Sequence, residues 1–305
     1  MKPFVFVTKD IPEKSVKVLQ ERGYAVRRGN KAGKEGKGAS AILCLLTDTI
    51  DGKTMDAMGP HLKVISNMAA GLDNIDIAAA KKRGIAVANT PEVLTEAVAE
   101  HAAALLLSLS RRVVEGDSFL RKGKYKGWRP DLLLGSELQG KTLGIVGHGR
   151  IGCRVAEILQ KGFSMKAVYY DLEGPALHEL CGARKRALTE LLRESDAVSV
   201  HVPLFPSTHH LISGRELKMM KKTAYLINTS RGPVVDEKAL VRALREGGIA
   251  GAGLDVFENE PKLAPGLAKL QNAVLTPHIA SASMEARNAM AELAARNAIA
   301  VLENI

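Results

Sequence analysis

The sequence has 305 residues, of which 46% are hydrophobic and 25% charged, and its mean hydropathy is −0.02. These values exclude a disordered chain, a collagen and a disulfide-stapled miniprotein, and the length suffices for about two domains. The net charge of +10 favours anionic partners, but the basic residues are scattered and only 4% of residues are aromatic, so we predict steering of small anions and no nucleic-acid partner.

Short β-branched runs alternate with helical patterns over the first 90 residues. Alternation of this kind is typical of an α/β fold with a parallel sheet. The Gly/Lys-rich stretch 29–40 has no periodicity, and we predict an exposed loop there. The predicted strands are 4–8, 24–28, 41–46, 62–67 and 85–90, and the predicted helix is 12–22.

A second alternating series begins with an Ala/Leu helix predicted at 92–110, where Thr90 can cap the helix and Pro91 can occupy its first turn. The chain is therefore predicted to form two doubly wound parallel-sheet domains in tandem. Because the last helix has no sheet of its own, we expect it to fold back on the first domain. The predicted division is 1–97 with 280–305 against 98–279. The remaining predicted strands are 142–147, 167–171, 196–203, 224–230, 249–256 and 273–277, and the remaining helices are 150–161 and 283–302.

The sequence carries no signal for a membrane or for export. No apolar stretch approaches the roughly 18 residues that a spanning helix needs, and the amino terminus lacks the apolar segment of a secretory signal. Cys44, Cys153 and Cys181 are far apart and show no CxxC spacing. We therefore expect reduced thiols in a cytoplasmic protein, with no disulfide framework and no metal site.

The motif GHGRIG at 147–152 directly follows an apolar strand and opens a helix. Gly147 permits a tight turn, Gly149 lets the backbone approach a pyrophosphate, and Gly152 lets the helix pack closely on the strand. Arg150 and Ile151 begin the helix, whose N-terminus faces the negative charge. The motif predicts a dinucleotide-binding loop.

Asp171 ends the next predicted strand, nineteen residues after Gly152. A carboxylate at this place accepts hydrogen bonds from the adenosine ribose and repels a phosphate on that ribose. NAD is therefore the predicted cofactor. NADP stays open as the less favoured alternative, because the basic run 184–186 lies further along the chain.

Three chemically useful residues follow strand ends in this second series: Arg231, Glu260 and His278. Ligands of open α/β sheets bind outside the carboxyl ends of the strands, which places all three at one edge. Reduction of a 2-oxo acid needs a fixed cation and a proton donor, which Arg231 and His278 supply. Glu260 beside the imidazole would stabilise its protonated form. Each residue also has a structural interpretation, as a turn-bound ion pair, an exposed loop acid and a histidine fixed after a proline.

Six segments then occur in order over nearly the whole chain: VISNMAAGLDNIDIAAAKKRGIAVANTPEVLTEAVAEHAAALLLSLSRR, GKTLGIVGHGRIG, HVPLFPSTHHLIS, LINTSRGPVVDEKAL, GAGLDVFENEP and TPHIAS. Together they resemble the D-isomer-specific 2-hydroxyacid dehydrogenases. Within that family, CLLTDTID and KGWRPDLLLGSELQGKTLGIVG are most similar to glyoxylate/hydroxypyruvate reductases. The resemblance implies a Rossmann-type NAD domain, a flavodoxin-like substrate domain, and NAD-dependent interconversion of a small 2-oxo acid and its D-2-hydroxy acid.

The resemblance also implies roles for individual residues. The family's catalytic arginine, glutamate and histidine fall on Arg231, Glu260 and His278. Backbone amides and pocket-lining residues for the substrate fall on Leu46, Ala69, Ala70, Gly71 and Ser281. Cofactor contacts beyond the glycine loop and Asp171 fall on Val202, Pro203, Thr208, Thr229 and, at the nicotinamide amide, Asp255.

A homodimer is implied as well. In the reductases a tryptophan of one subunit can enter the substrate site of its partner, and the matching residue is Trp128; packing within the dimer interface is the equally weighted interpretation. For the chain as a whole, the sequence leaves two further functions open. One is an NAD-sensing scaffold resembling the C-terminal-binding corepressors, and the second is a dehydrogenase of the same family that acts on D-lactate or phosphoglycerate.

Overall fold

The computed structural model describes residues 3–8, 10–171 and 181–304. The chain divides into two compact units, the first comprising Met1–Leu94 with Ala282–Ile305 and the second comprising Thr95–Ser281. Within the described ranges, no helix combines the length and the apolar character that crossing a membrane requires.

The first unit contains a five-stranded parallel sheet with the strand order β2-β1-β3-β4-β5. This is the order of the flavodoxin-like doubly wound fold, as predicted. The buried side chains of Phe6, Ile42 and Ile65 pack on those of the helices on one face of the sheet. The elements are β1 (Phe4–Thr8), α1 (Glu13–Glu21), β2 (Ala25–Gly29), α2 (Ala32–Glu35), β3 (Ala41–Cys44), α3 (Gly52–Met58), β4 (Val64–Asn67), α4 (Ile77–Lys82) and β5 (Ala86–Ala88).

The stretch 29–40 differs from the predicted exposed loop, because it contains the short helix α2. The carboxylate of Glu35 accepts hydrogen bonds from the backbone N–H groups of Asn30 (2.8 Å) and Lys31 (3.3 Å), which stabilises the turn that leads into the helix. Ala39 is fully buried within the hydrophobic core. This helix has only four residues and no buried side chain, so it produces no apolar periodicity. The sequence therefore does not reveal it.

The second unit contains a seven-stranded parallel sheet with the order β12-β11-β10-β9-β6-β7-β8. This confirms the predicted Rossmann-type sheet, in which the strand order reverses between β6 and β9. The elements are α5 (Thr95–Ser110), α6 (Val113–Arg121), β6 (Thr142–Val146), α7 (Arg150–Phe163), β7 (Lys166–Tyr170), β8 (Arg184–Lys185), α8 (Leu188–Glu194), β9 (Ala197–Val200), α9 (Gly214–Leu217), β10 (Tyr225–Asn228), α10 (Glu237–Arg245), β11 (Gly251–Leu254) and β12 (Ala273–Leu275).

Helices cover both faces of this sheet. Leu105 and Leu109 of α5 and Val155 of α7 belong to one apolar cluster with the strands, whereas Leu192 and Leu240 belong to a second cluster with α8 and α10. A parallel sheet that is buried on both faces explains why the predicted strands are nearly continuous apolar runs.

The Ala/Leu helix begins at Thr95, later than predicted from Thr90 and Pro91. Thr90 is fully buried, and its hydroxyl has no partner among the described residues, so it does not cap a helix. Its backbone N–H instead donates to the carbonyl of Ala69 (2.9 Å). Residues 89–91 therefore lie in neither a strand nor a helix, and the helix begins only after the turn at 93–94.

The last helix, α11 (Met284–Glu303), belongs to the first unit. It packs on α1, β3, β4 and β5, and the hydroxyl of Ser66 in β4 donates to the carbonyl of Ala294 at 2.7 Å. Ser283 caps the helix by accepting the N–H of Ala286 at 3.0 Å. Small alanines line the buried face, which allows the helix to approach the sheet closely.

Candidate active site

The glycine loop lies where the strand order of the second sheet reverses, after the end of β6. Gly147 has a φ of +96°, and a Cβ there would lie 2.7 Å from the backbone nitrogen of Val202. A Cβ on Gly152 would clash with the carbonyl oxygen of Gly147. By contrast, a Cβ on Gly149 would meet nothing within 4 Å. The fold itself therefore requires the first and third glycines, whereas the open space at Gly149 fits the approach of a pyrophosphate.

Asp171 follows β7 directly and faces the same loop. Its Oδ2 accepts the backbone N–H of His148 at 2.7 Å. This bond ties the strand end to the glycine loop and places a carboxylate beside it. Arg150 and Ile151 form the first turn of α7, with Arg150 exposed to solvent.

The remaining predicted cofactor residues follow β9 and β10. Val202 is buried beside Gly147, and Pro203 is exposed. The hydroxyl of Thr208 donates to the carbonyl of Pro203 (2.6 Å) and accepts the N–H of Phe205 (2.8 Å), so it closes a local turn. The buried hydroxyl of Thr229 has no partner among the described residues. An orphaned buried donor at a strand end, together with the space at Gly149, fits a bound dinucleotide.

Glu260 and His278 are in direct contact within the second unit. Nδ1 of His278 lies 2.9 Å from Oε2 of Glu260, and both side chains are partly exposed. Burial alone would raise the pKa of Glu260, but hydrogen bonds from His278 and from the backbone N–H of Phe257, together with the charge of Arg231, outweigh it and lower the pKa. Glu260 is therefore an ionised acceptor for Nδ1–H, which leaves Nε2 of the ring for another partner.

Arg231 is half-buried and lies close enough to Glu260 to lower the pKa of that carboxyl group. Its Nη1 donates to the carbonyl of Ser230 at 2.8 Å, and its own carbonyl accepts from Asn228 Nδ2 at 3.0 Å. The next residue, Gly232, lies so close to the backbone of Phe257 that a Cβ there would clash. This close approach brings the arginine loop against the loop that carries Glu260.

The turn that carries His278 is organised by Asp255, which is fully buried. Oδ1 of Asp255 accepts from the hydroxyl of Thr276 (2.6 Å) and from Ile279 N–H (2.8 Å), and Oδ2 accepts from Ala280 N–H (2.7 Å). His278 itself has a φ of +55°, a strained conformation that these bonds hold in place. In this structure Asp255 therefore acts on the imidazole through the backbone.

His101 completes this network, although its sequence position on an Ala/Leu helix predicts no role. Its Nε2 lies 3.0 Å from the hydroxyl of Thr276 and 3.4 Å from Oδ1 of Asp255. Burial opposes ionisation of Asp255, but the hydrogen bonds from His101, Thr276 and the two backbone N–H groups lower its pKa. The signal that could have revealed His101 is a histidine on an otherwise apolar helix face.

The predicted substrate residues of the first unit follow β3 and β4. The carbonyls of Ala69, Ala70 and Gly71 accept hydrogen bonds from Thr90 N–H (2.9 Å), Asn89 Nδ2 (2.6 Å) and Asn67 Nδ2 (2.9 Å), respectively. The three carbonyls are thus satisfied within the unit. Leu46 is partly buried in the turn after β3, and Ser281 of the second unit is partly buried after Ala280.

Trp128 lies in the segment after α6 and is 81% exposed. It belongs to a group of exposed apolar side chains that follow one another along the chain, namely Val113, Val114, Leu120, Tyr125, Trp128 and Leu134. Grouped exposed apolar side chains are typical of interaction surfaces.

Comparison with known proteins gives consistent results. Residues 103–280 match the family model described as "D-isomer specific 2-hydroxyacid dehydrogenase, NAD binding domain". The glyoxylate reductase of Thermofilum pendens is 51% identical over 315 residues, with 99% of this chain and 92% of that relative covered. A crystal structure of a Thermus thermophilus protein has a TM-score of 0.91 and 47% identity, with 98% and 97% coverage. The NADPH-dependent glyoxylate/hydroxypyruvate reductase of Sinorhizobium meliloti, in complex with NADP and malonate, has a TM-score of 0.89 and 35% identity, with 98% and 93% coverage.

Proposed function

The chain belongs to the D-isomer-specific 2-hydroxyacid dehydrogenase family, and we propose from this premise that it is a glyoxylate reductase that also accepts hydroxypyruvate. The observation that carries the proposal is the 2.9 Å contact between His278 and Glu260 in the unit that holds the glycine loop. A solvent-accessible imidazole backed by an ionised carboxylate is a general acid for reduction of a carbonyl group.

Each residue of the trio has a separate task in this proposal. Arg231 binds the substrate carboxylate and polarises the carbonyl oxygen with its planar guanidinium. Nε2 of His278 donates a proton to that oxygen, and Glu260 stabilises the imidazolium before the transfer.

NAD(H) is the cofactor that the family's domain binds, and when bound it supplies the hydride that reaches the carbonyl carbon. The open space at Gly149 and the N-terminus of α7 would hold the pyrophosphate. Asp171 would accept hydrogen bonds from the adenosine ribose, and the orphaned hydroxyl of Thr229 would bond to the cofactor. The second candidate cofactor is NADP, which the Sinorhizobium meliloti structure contains.

The decisive experiment is turnover of a panel of 2-oxo acids with NADH and with NADPH. Glyoxylate and hydroxypyruvate should give the highest kcat/KM, and the product should be glycolate or a D-2-hydroxy acid. Preference for pyruvate would indicate a D-lactate enzyme instead. Rates at background for every acid, with NADH still bound, would contradict the proposal and favour an NAD-sensing scaffold.

Glu260→Gln is expected to lower kcat/KM at neutral pH by about 10- to 100-fold, the effect of one lost charge-assisted hydrogen bond. Because the pKa of Glu260 is lowered, folding favours its ionised form. This stabilisation is present above the usual glutamate pKa of about 4.3 and is lost as the pH falls through the lower value of the folded state. The wild-type enzyme should therefore keep an ionised Glu260 throughout the neutral range.

The measurement is the pH dependence of kcat/KM for glyoxylate in the wild type, Glu260→Gln and the exposed control Glu246→Gln. In Glu260→Gln the acidic limb should disappear, because that position then holds no carboxylate whose protonation at low pH stops the reaction. An unchanged limb would show that Glu260 has only a structural role.

Asp171→Ser is expected to shift the ratio of kcat/KM for NADPH over NADH upward by at least about tenfold. The substitution removes a negative charge that repels the phosphate on the adenosine ribose. Steady-state kinetics with both coenzymes tests this, with the exposed carboxylate Asp10 replaced by Ser as a control. An unchanged coenzyme ratio in Asp171→Ser would mean that other residues hold the ribose.

We also propose a homodimer formed by the exposed apolar group on and after α6. Trp128→Ala should weaken the dimer by at least about tenfold, since large exposed aromatic residues are typical energetic centres of interfaces. Light scattering during size-exclusion chromatography over a concentration series measures this change. A dimer of normal stability with a raised KM would instead show that Trp128 enters the partner's substrate site. If neither the dimer stability nor the KM changes, Trp128 has no role in the interface or in the substrate site.

The reaction is proposed to take place in the cytoplasm. All three cysteines lie in the described part of the chain, and none of them forms a disulfide. Buried and partly buried thiols without disulfides are typical of proteins in reducing compartments.

A further inference from the structure

Three side chains suited to a soft metal ion meet beside the glycine loop. They are His148, Cys153 and Cys181, and their ligand atoms all lie within 4.8 Å of one another. Nε2 of His148 is 2.9 Å from Sγ of Cys181. The two cysteines are 28 positions apart and show no metal-binding spacing, so the sequence predicts separate thiols. Only the tertiary structure brings them together.

Each member of the cluster is held by a different element. His148 is part of the loop between β6 and α7, is 1% exposed, and stacks on Tyr169 of β7 with ring centroids 4.2 Å apart. Cys153 lies in the first turns of α7, and Cys181 is buried shortly before β8. The stacking orients the imidazole so that Nε2 faces the sulfur, while the backbone N–H of His148 bonds to Asp171. The imidazole of His148 can therefore bind a metal ion while its backbone N–H keeps the hydrogen bond to Asp171.

The dimensions of the cluster fit a tetrahedral zinc ion. With Zn–S bonds of about 2.3 Å and Zn–N bonds of about 2.0–2.1 Å, tetrahedral ligands are about 3.4–3.8 Å apart. The observed separations of 2.9 Å to at most 4.8 Å bracket this range, so small side-chain adjustments suffice. Among the described residues the cluster contains three ligands, which leaves the fourth position to a water molecule.

We propose that His148, Cys153 and Cys181 form a binding site for one thiophilic divalent cation, with Zn²⁺ as the expected ion. Two sulfur ligands and an imidazole select soft or borderline ions over Mg²⁺ and Ca²⁺. Binding converts two thiols to thiolates, releases two protons to the solvent and leaves a neutral complex. The ion would join the glycine loop, helix α7 and the chain before β8, and would thereby fix the loop that faces the dinucleotide.

The test is zinc binding by the full chain under reducing conditions, measured by competition with a chromophoric chelator. The wild type should bind one Zn²⁺ per chain. Cys153→Ser and Cys181→Ser should each weaken binding by at least about 100-fold, because loss of a direct ligand exceeds the 10- to 100-fold effect of its outer partners. Cys44→Ser is the matched control, since Cys44 is a buried thiol of the first unit, and it should bind as the wild type does.

Co²⁺ provides a second measurement on the wild type that does not depend on the variants folding. Thiolate ligation should give intense sulfur-to-cobalt charge-transfer absorption with the visible bands of a tetrahedral ion. Absence of these bands, absence of Zn²⁺ binding by the wild type, or equal Zn²⁺ affinity in Cys181→Ser would each overturn the proposal. NADH binding is measured on the same samples, because its absence in the zinc-loaded wild type would count against the proposed function and would leave the zinc result unaffected.

Discussion

Replacing His278 by Asn should lower kcat for glyoxylate reduction by about 10²–10⁴-fold, the usual contribution of a positioned general acid, which corresponds to about 3–5 kcal/mol. Asparagine keeps a polar group near Glu260 but cannot release a proton to the substrate. Affinity for NADH should change less than about twofold, because the glycine loop and Asp171 lie on other segments of the unit. Stopped-flow measurement of hydride transfer and fluorescence titration of NADH separate the two effects.

His61→Asn is the matched control, since His61 is an exposed histidine of the first unit. It should leave both constants unchanged. Turnover of His278→Asn at the wild-type rate would remove His278 from its assigned role and, with it, the main support for the proposed chemistry. A parallel loss of NADH binding would indicate that the substitution disrupts the turn held by Asp255.

Replacing Arg231 by Lys should lower kcat/KM for glyoxylate by about 10- to 100-fold, mainly through KM. Lysine keeps the positive charge but loses the planar pair of donors that matches a carboxylate, a loss of about 1.5–3 kcal/mol. The backbone at this position is held by Asn228 and by the close approach of Gly232 to Phe257, so the loop should keep its conformation. Steady-state kinetics with glyoxylate at saturating NADH provides the test.

Arg215→Lys serves as the control, because Arg215 is exposed at the start of the short helix α9. Chloride or acetate ions should inhibit the wild type more strongly than Arg231→Lys if the guanidinium is the anion-binding group. A KM for glyoxylate equal to that of the wild type would show that the substrate carboxylate is bound by other donors. Arg231 would then act only on the charge of Glu260.

The local chemistry of the cofactor loop was predictable because it depends on residues close together in the sequence. A glycine at each of three positions, an apolar strand before them and a carboxylate at the next strand end are all visible in one short segment. Strand positions were predictable for a similar reason, since a parallel sheet buried on both faces leaves continuous apolar runs. The start of the Ala/Leu helix was less predictable, because Thr90 and Pro91 resemble a helix cap, whereas the backbone N–H of Thr90 bonds to Ala69 in the turn after β4.

Contacts between residues far apart in the sequence could not be predicted from the sequence, except where the family resemblance implied them. The network of His101, Thr276 and Asp255 joins α5 to the turn that carries His278, and the 175 positions between His101 and Thr276 hide this contact in the sequence. Thr208 matched a family position, but in the structure its hydroxyl closes its own turn. Cys153 and Cys181 are likewise far apart in the sequence, so their spacing did not predict the cluster that they form with His148.

By itself, the amino-acid order determined the α/β class, the alternation of strands and helices, the glycine loop and which three side chains are candidates for the acid–base chemistry. Tertiary structure alone decided that Glu260 bonds to Nδ1 of His278, that Asp255 is buried beneath the turn of that histidine, and that two remote thiols lie together. The physical reason is the distance along the sequence over which each kind of interaction acts. Helical and strand periodicity and turn chemistry act over a few residues, whereas the charge and hydrogen bonding of a side chain depend on whichever groups the packed sheet brings within a few ångströms of it.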